Sequence, residues 1–230
     1  MRKLILICVV FLILHSCKNN DRGNPEPVEF VWEFSTDAEG WTGDFADYPV
    51  GEEDRYELQF EYSTLPEPLD ETEGVLKLSG SNLSDDLFMF LKKEIQGLQP
   101  NTSYNINFTI EFASDVHDGM AGIGGSPGES VYIKSGATKI EPDKITDDND
   151  YYRMNIDKSN QSSGGDDMLV IGDFSNDTDN EVYTLKSVSN GLPFNVSTDS
   201  TGVLWIIVGT DSGFEGKTTI YYNSIKAEFY

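Results

Sequence analysis

The stretch Tyr104-Asn105-Ile106-Asn107-Phe108-Thr109-Ile110-Glu111-Phe112 decides the fold, because apolar and polar residues alternate along it without a break. Successive side chains of a β-strand point to opposite faces of its sheet. The alternation therefore predicts a strand with one buried face. The buried face carries Ile106, Phe108, Ile110 and Phe112, and the opposite face carries Asn105, Asn107, Thr109 and Glu111.

Short runs of β-type residues continue on both sides of this strand. Turn formers separate them, as in Leu65-Pro66-Glu67-Pro68, and no stretch keeps a 3.6-residue apolar period. This pattern predicts an all-β protein with a single antiparallel β-sandwich over residues 28–230. The predicted strands are 30–34, 55–62, 75–79, 87–92, 104–112, 131–134, 151–157, 168–173, 182–186, 203–209 and 218–229.

Both ends of this region resemble those of jelly-roll carbohydrate-binding modules. The resemblance is carried by Trp32-Glu33-Phe34 with Gly40-Trp41, and by Tyr221-Tyr222-Asn223-Ser224-Ile225-Lys226-Ala227. In those modules the first and last strands often pair. The resemblance implies a jelly-roll order of strands rather than a fibronectin-like one, but it includes no motif that identifies a ligand.

The N-terminus has the pattern of an export signal. Arg2 and Lys3 precede an apolar run over residues 4–14, which is too short for a membrane span of roughly 20 residues. The run ends in Leu14-His15-Ser16-Cys17, which resembles the lipobox of bacterial lipoproteins. That resemblance implies removal of residues 1–16 and lipidation of Cys17. The alternative is an ordinary cleaved signal followed by a chance cysteine.

The residues after Cys17 predict a tether and a location. Residues 17–27 are polar, contain glycine and proline, and lack periodicity, which is typical of a flexible linker. Lys18 stands where some bacterial lipoproteins carry the aspartate associated with inner-membrane retention. We therefore expect a lipid-anchored protein of the cell envelope, in the outer membrane, with the leaflet undetermined.

Composition excludes several classes of partner and chemistry. Cleavage before Cys17 removes two basic residues and no acidic ones, so the formal charge moves from −24 to −26. Such a surface repels nucleic acid and anionic headgroups, which leaves the lipid as the membrane attachment. Cys8 leaves with the signal, so no thiol remains for a disulfide, a zinc site or a nucleophile.

Polar residues on three predicted strands form a candidate ligand site. If strands 131–134 and 151–157 neighbour strand 104–112, one sheet face gathers amides, carboxylates, an arginine and a tyrosine. These groups bind sugar hydroxyls and stack on a pyranose ring, so we predict a glycan site. The alternative is a solvated face with cross-strand ion pairs. The predicted ligand-binding residues are Asn107, Glu111, Tyr132, Lys134, Arg153, Asn155 and Asp157.

Two loops carry further hypotheses. Residues 173–181 place Asp173, Asp177 and Asp179 at spacings typical of a calcium loop, although Thr178 replaces the glycine of the EF-hand pattern. The alternative is a polar hairpin loop without an ion. The glycine-rich residues 118–130 form either a wall of a binding site or a crossover between sheets.

Catalysis has less support than binding. Glycoside hydrolysis needs two facing carboxylates, and Glu111 with Asp157 is the only pair that the predicted face suggests. His117 is the one histidine left after cleavage, and no nucleophile elbow accompanies it. The sequence thus favours a non-catalytic binding module, with carbohydrate as its ligand and no cofactor beyond calcium. The alternatives are a polysaccharide-processing enzyme and a structural subunit of an envelope complex, and the oligomeric state is open.

Overall fold

The structure is a computed structural model that describes residues 26–230. All regular elements of this part of the chain are strands. Cys17, the signal and residues 17–25 of the predicted tether lie outside the described residues. The strands are β1 (Val28–Trp32), β2 (Thr42–Ala46), β3 (Tyr48–Pro49), β4 (Gln59–Thr64), β5 (Gly74–Ser81), β6 (Leu87–Ile95), β7 (Ser103–Ser114), β8 (Val131–Thr138), β9 (Lys144–Thr146), β10 (Tyr151–Met154), β11 (Met168–Asp173), β12 (Thr184–Ser189), β13 (Phe194–Ser197), β14 (Leu204–Ser212) and β15 (Lys217–Phe229).

Eight strands form a jelly roll of two antiparallel sheets, which confirms the predicted fold class. One sheet has the order β5-β15-β7-β12 and the other β6-β14-β8-β11, so most consecutive strands alternate between sheets. The seven-stranded sheet adds β4, β1 and β13 to the first set, and the five-stranded sheet adds β2 to the second. The first and last strands pair, with Val28 opposite Phe229, as the resemblance implied.

The core lies between the two sheets, and β7 shows how the sequence produces it. Ile106, Phe108, Ile110 and Phe112 are fully buried, while Glu111 on the opposite face is half-buried. A fully buried large apolar side chain contributes about 1.5–3 kcal/mol relative to an exposed one. The alternation of β7 therefore both defines the strand and fixes which face packs inward.

A segment between β8 and β11, residues 139–167, covers the outer face of the five-stranded sheet. We call it the roof segment; it carries β9 and β10, and β10 also pairs with β3. Ile156 of the roof segment packs against Phe88, Phe90 and Ile207 on that face. Strand β6 is thus buried on both faces, as its unbroken apolar run Leu87-Phe88-Met89-Phe90-Leu91 indicates.

Some predicted boundaries were wrong for local reasons. The strand predicted over 55–62 begins only at Gln59, because Tyr56 donates its backbone N–H to the carbonyl of Glu52 in a turn. The sequence analysis did not predict β2, β3, β9 or β13. Each is at most five residues long and is held by pairing with a longer or neighbouring strand.

Candidate functional site

A bulge in β15 builds the centre of a groove on the outer face of the seven-stranded sheet. The pairing of β15 with β7 shifts register between Tyr222 and Ser224, so Asn223 is an extra residue. A bulge re-aims side chains at its position. The Asn223 amide Nδ2 donates a hydrogen bond of 2.8 Å to Glu111 Oε1. The two side chains therefore hold each other on the outer face.

The groove around this pair has a volume of about 500 Å³. One wall comes from Glu33 and Ser35, which follow β1, another from the segment before β5, and Leu185 of β12 adds an apolar surface. Ligand pockets for small molecules commonly measure about 300–1,000 Å³, so the groove has room for a sugar ring or two. Its lining residues are Glu33, Ser35, Thr72, Glu73, Gly74, Glu111, Leu185, Asn223 and Ser224.

The wall before β5 is fixed by close packing and by a tight turn. A Cβ on Gly74 would lie 2.1 Å from the Tyr62 hydroxyl and 2.3 Å from the Phe34 carbonyl oxygen, so only glycine fits there. Thr72 donates through its backbone N–H and its hydroxyl to Asp70 Oδ1, at 2.9 and 2.7 Å. These bonds lower the pKa of Asp70. The wall is therefore preformed.

The groove is rich in carboxylates. Glu33, Glu73 and Glu111 line it, and no lysine or arginine of residues 26–230 does. Lys226 on the same sheet face is bound by Glu228 and Glu29 at 2.8 Å each, which raises the pKa of Lys226 to about 12. Carboxylates and amides accept hydrogen bonds from hydroxyl groups. The lining can thus bind a neutral, hydroxyl-rich ligand.

The structure separates the residues that the sequence placed on one face. Asn107 and Glu111 lie on the outer face of the seven-stranded sheet, whereas Tyr132 and Lys134 lie on β8 of the other sheet. The expected neighbourhood of β8 and β7 was wrong, because residues 118–130 cross from one sheet to the other. Arg153, Asn155 and Asp157 belong to the roof segment. Only Glu111 lines the groove.

Lys134 lies in a buried charge cluster, which we define as Asp47, Asp86, Lys134, Lys158 and Asp211, with Arg153 at its edge. The Lys134 and Asp211 side chains are completely buried, and Lys134 Nζ lies 2.7 Å from Asp211 Oδ2. Lys158 Nζ binds the same oxygen at 2.9 Å and Asp47 Oδ2 at 2.8 Å. Arg153, whose side chain is 41% exposed, binds Asp47 Oδ1 at 2.9 Å.

Burial and neighbouring charges shift pKa values within the buried charge cluster. Burial lowers the pKa of Lys134. Burial opposes the charged form of Lys158 as well, but Asp211 and Asp47 outweigh it and raise the pKa of that ammonium. Burial, followed by the charges of Asp47 and Asp211, raises the pKa of Asp86 to about 8. The sequence analysis missed all three aspartates, of which Asp211 lies within β14.

Two other predicted ligand residues shape the roof segment. Asn155 Oδ1 accepts the backbone N–H of Asp143 at 2.8 Å, and its amide donates to the carbonyl of Glu141 at 2.9 Å. Asp157 accepts backbone N–H groups of Asp166 and Ser159, which lower its pKa. Both side chains are therefore engaged within the segment itself.

The predicted calcium loop holds a lysine between two of its carboxylates. Lys186 Nζ lies 2.8 Å from Asp173 Oδ1 and 2.8 Å from Asp177 Oδ1. Burial opposes the ionised form of Asp173, but Lys186 and Ser175 outweigh it and lower the pKa of that carboxyl. Asp179 is exposed. A calcium ion at this loop would have to compete with the Lys186 ammonium.

The glycine-rich loop and two tryptophans lie away from the groove. Residues 118–130 form the crossover between sheets, and a Cβ on Gly122 would lie 2.5 Å from the ring of Phe214. Trp41 is buried and packs edge-on against Trp32, with ring centroids 5.2 Å apart. Trp205 is half-buried on the outer face of the five-stranded sheet, with Lys92 Nζ 5.9 Å from its ring centroid.

Residues 26–230 include no helix with the length and apolar character to cross a membrane. Scans against protein families and curated proteins find no match. Among solved structures, the chain is similar to the enzymatically active domain of tailspike protein 4 from bacteriophage CBA120 (TM-score 0.36, 10% identity, 84% of this chain and 20% of that one). It is also similar to carbohydrate-binding modules of the β-sandwich superfamily (0.37, 14%, 80% and 55%) and to a mannan-recognising carbohydrate-binding module (0.36, 11%, 88% and 98%).

The chain thus spans only about a fifth of the tailspike domain and about half of the superfamily structure. At these low scores and identities the likeness assigns neither ligand nor activity to this chain. The jelly-roll assignment rests on the order of its own strands.

Proposed function

We propose that this protein is an exported, lipid-anchored module that binds carbohydrate in the groove at Glu111 and Asn223. The supporting observation is that the β15 bulge places Asn223 where it hydrogen-bonds to Glu111, at the centre of a preformed groove of about 500 Å³. The proposal includes export by residues 1–16, lipidation at Cys17 and residence in the outer membrane; its support is the lipobox-like pattern of Leu14-His15-Ser16-Cys17 and the Lys18 that follows it.

The lining supplies the groups that a sugar needs. Glu111 Oε2 can accept hydrogen bonds from ring hydroxyls, and the Asn223 amide can accept through Oδ1 and donate through its second N–H group. Ser35 and Thr72 add hydroxyl groups. Leu185 offers an apolar contact for the C–H groups of a sugar ring. The negative lining disfavours uronic acids and sulfated sugars, because like charges in one groove repel. We therefore propose a neutral or basic glycan.

A glycan array tests this proposal. The purified mature protein is applied with and without calcium, and the affinity of the best glycan is then measured for Glu111→Gln and Glu73→Gln. Each lost charge-assisted bond costs about 1–3 kcal/mol, which is roughly a 5- to 150-fold loss of affinity. Glu71→Gln is the matched control, because Glu71 lies exposed beside the same wall without lining the groove.

Two results decide against the groove as the site. One is an array on which no glycan binds a folded sample. The other is undiminished affinity in both groove variants, with melting temperatures equal to that of the unchanged protein.

One observation favours the alternative of a polysaccharide-processing enzyme. Glu33, Glu73 and Glu111 share one groove, and most glycosidases use two carboxylates that flank the glycosidic bond. Incubation of the bound oligosaccharide, followed by measurement of new reducing ends, distinguishes the two functions. Binding alone produces none, whereas hydrolysis produces them at a rate that falls in Glu73→Gln or Glu111→Gln.

A further inference from the structure

A completely buried lysine and a completely buried aspartate touch within the buried charge cluster. Lys134 Nζ lies 2.7 Å from Asp211 Oδ2, and neither side chain reaches the surface. Lys134 of β8 pairs with Gly209 of β14, two positions before Asp211. Residues two positions apart on a strand share a face, so the two side chains meet diagonally across one pair of strands. They are 77 positions apart in the chain.

Lys134 differs from Lys158 in the number of carboxylates that hold its charge. Asp211 is the only carboxylate within ion-pair distance of Lys134 in residues 26–230, and the other partners of Lys134 are two backbone carbonyls of the roof segment. Burial lowers the pKa of Lys134. Burial also opposes the charged form of Lys158, but Asp211 and Asp47 outweigh it and raise that pKa. Lys134 is therefore the amine of the cluster that can lose its proton and act as a nucleophile.

The remaining contacts of Asp211 suit a carboxyl group under attack. Its Oδ2 accepts the backbone N–H of Gln161 and the Lys158 ammonium, each at 2.9 Å. Donors directed at one oxygen stabilise the negative charge that develops there when a nucleophile adds to the carbon. Asp211 Oδ1 has no hydrogen-bond partner among the described residues. The free Oδ1 is thus the oxygen that can leave.

Asp86 places a second carboxyl group beside Asp211. Oxygens of the two side chains lie within 4.8 Å of each other, and Asp86 Oδ1 is buried without a hydrogen-bond partner among residues 26–230. Burial, followed by the charges of Asp47 and Asp211, raises the pKa of Asp86 to about 8, which favours a protonated carboxyl at neutral pH. The Asp86 side chain is 23% exposed. A water molecule formed in the cluster therefore has a route to solvent past Asp86.

We propose that Lys134 and Asp211 condense to an amide, an isopeptide bond that joins β8 to β14. The structure shows the pair before this reaction. The Lys134 nitrogen bonds to Asp211 Cγ, the bond from Cγ to Oδ1 breaks, and Oδ1 leaves as water. One hydrogen of the Lys134 ammonium stays on the amide nitrogen, and the other two leave with the water. Asp86 gives its proton to the departing oxygen and takes one from the nitrogen, so it ends unchanged.

The condensation oxidises and reduces nothing, and it needs no co-reactant. Groups held in reacting contact have effective concentrations of roughly 10⁵–10⁸ M. Burial also favours the neutral amide over two buried charges. After the predicted cleavage Cys17 is the only cysteine, so a disulfide within one chain cannot form. The isopeptide bond takes that place, because a link between distant residues restricts the unfolded chain.

Tryptic mapping of the denatured mature protein tests the bond. An amide on Lys134 prevents cleavage after it, so residues 94–139 should appear joined to residues 187–217, at the sum of the two masses less one water. Tandem mass spectrometry should locate the link between Lys134 and Asp211. Lys134→Arg keeps the positive charge without the amine and should give separate peptides. Lys139→Arg, at an exposed residue after β8, should give the same linked peptide as the unchanged protein.

The role of Asp86 is tested by the rate at which the linked peptide accumulates after synthesis. Asp86→Asn cannot transfer the proton, so the link should form roughly 100-fold more slowly or slower still. Asp86→Glu should restore at least part of the rate, and Asp85→Asn, at the exposed neighbouring residue, should not change it. An unchanged rate in a folded Asp86→Asn sample would overturn this role.

The unchanged protein by itself decides the proposal, whether or not the variants fold. The proposal is overturned if this protein, shown to be folded by circular dichroism and kept at neutral pH, is cleaved completely after Lys134 and gives only separate peptides. A link through Lys158 in place of Lys134 also overturns it.

Discussion

Lys134 joins the buried charge cluster to the backbone of the roof segment. Its ammonium binds the Asp211 carboxylate and two backbone carbonyls of the roof segment. We expect Lys134→Met, which keeps the length and volume of the side chain, to lower the free energy of unfolding by about 3 kcal/mol, because it removes one partner of a buried ion pair. Urea denaturation measures the change.

The control for this substitution is Lys139→Met at the exposed residue that follows β8. A surface substitution of this kind should change stability by no more than about 0.5 kcal/mol. Equal denaturation midpoints for Lys134→Met and the unchanged protein would show that the buried pair contributes nothing net to stability.

At the scale of single residues, sequence patterns predicted the sheet face to which a side chain points better than they predicted the residues around it. Alternation placed Lys134 on the side of β8 that faces away from the sandwich core, and the structure agrees. It could not show that the roof segment covers that side, because the contact joins residues far apart in the chain. Glu111 was predicted on a polar face and lines the groove. Asn223 was not predicted, since a bulge has no signature in this stretch.

At the scale of elements, the loop after β11 carries a testable competition between lysine and calcium. If calcium binds Asp173, Asp177 and Asp179, mass action should stabilise the fold by roughly 2–4 kcal/mol when free calcium exceeds its Kd roughly 100- to 1,000-fold. Chelator should then lower the melting temperature. Lys186→Met should enlarge this difference, because it frees both carboxylates that the ammonium holds.

Asp177→Ala should remove the calcium effect, whereas Asp148→Ala in the exposed acidic turn before β10 should keep it. Identical melting curves with and without chelator, in a sample verified to be metal-free, would contradict the calcium hypothesis. The loop is then a polar connection whose geometry Lys186 maintains.

The elements that sequence predicted are those with a strong pattern of their own. Strand β7 alternates, β6 is continuously apolar, and β11 was predicted with its observed bounds, Met168–Asp173. Strand β2 contains Gly43 and Asp44, which disfavour strands, and it exists because it pairs with β6. Strand β10 was predicted over 151–157 and ends earlier, at Met154. Strand β9 was not predicted, because its three residues are held by pairing with β10.

At the scale of the whole molecule, the fold class could be predicted because its determinants are distributed along the chain. Many short strands, turn formers between them and aromatic residues at both ends are sufficient for a sandwich. The pairing of strands within each sheet could not be predicted in the same way. The order β5-β15-β7-β12 joins residues more than 100 positions apart, and the predicted ligand face failed at this step. The groove became visible only when β1, β5, β12 and β15 were assembled.

The charge of the whole molecule supports a prediction about its attachment. The formal charge of −24, which becomes −26 once Arg2 and Lys3 are removed with the signal, repels anionic membrane surfaces, so attraction of the protein surface cannot hold it at a bilayer. Acyl chains on Cys17 can, since each buried methylene contributes about 0.8 kcal/mol. We expect Cys17→Ala to move the protein from the membrane to the soluble fraction. Its fold, measured by melting temperature and circular dichroism, should not change, because Cys17 precedes the first strand by 11 positions.

Cys8→Ala is the matched control, because that cysteine lies within the predicted signal and should leave before the mature protein is formed. The Cys8 variant should remain in the membrane fraction, with an intact mass equal to that of a chain beginning at lipidated Cys17. Membrane retention of Cys17→Ala, or a mature N-terminus at any other residue, would contradict the lipoprotein assignment. A soluble Cys17 variant that keeps the glycan affinity of the unchanged protein would show that anchoring and binding belong to separate parts of the chain.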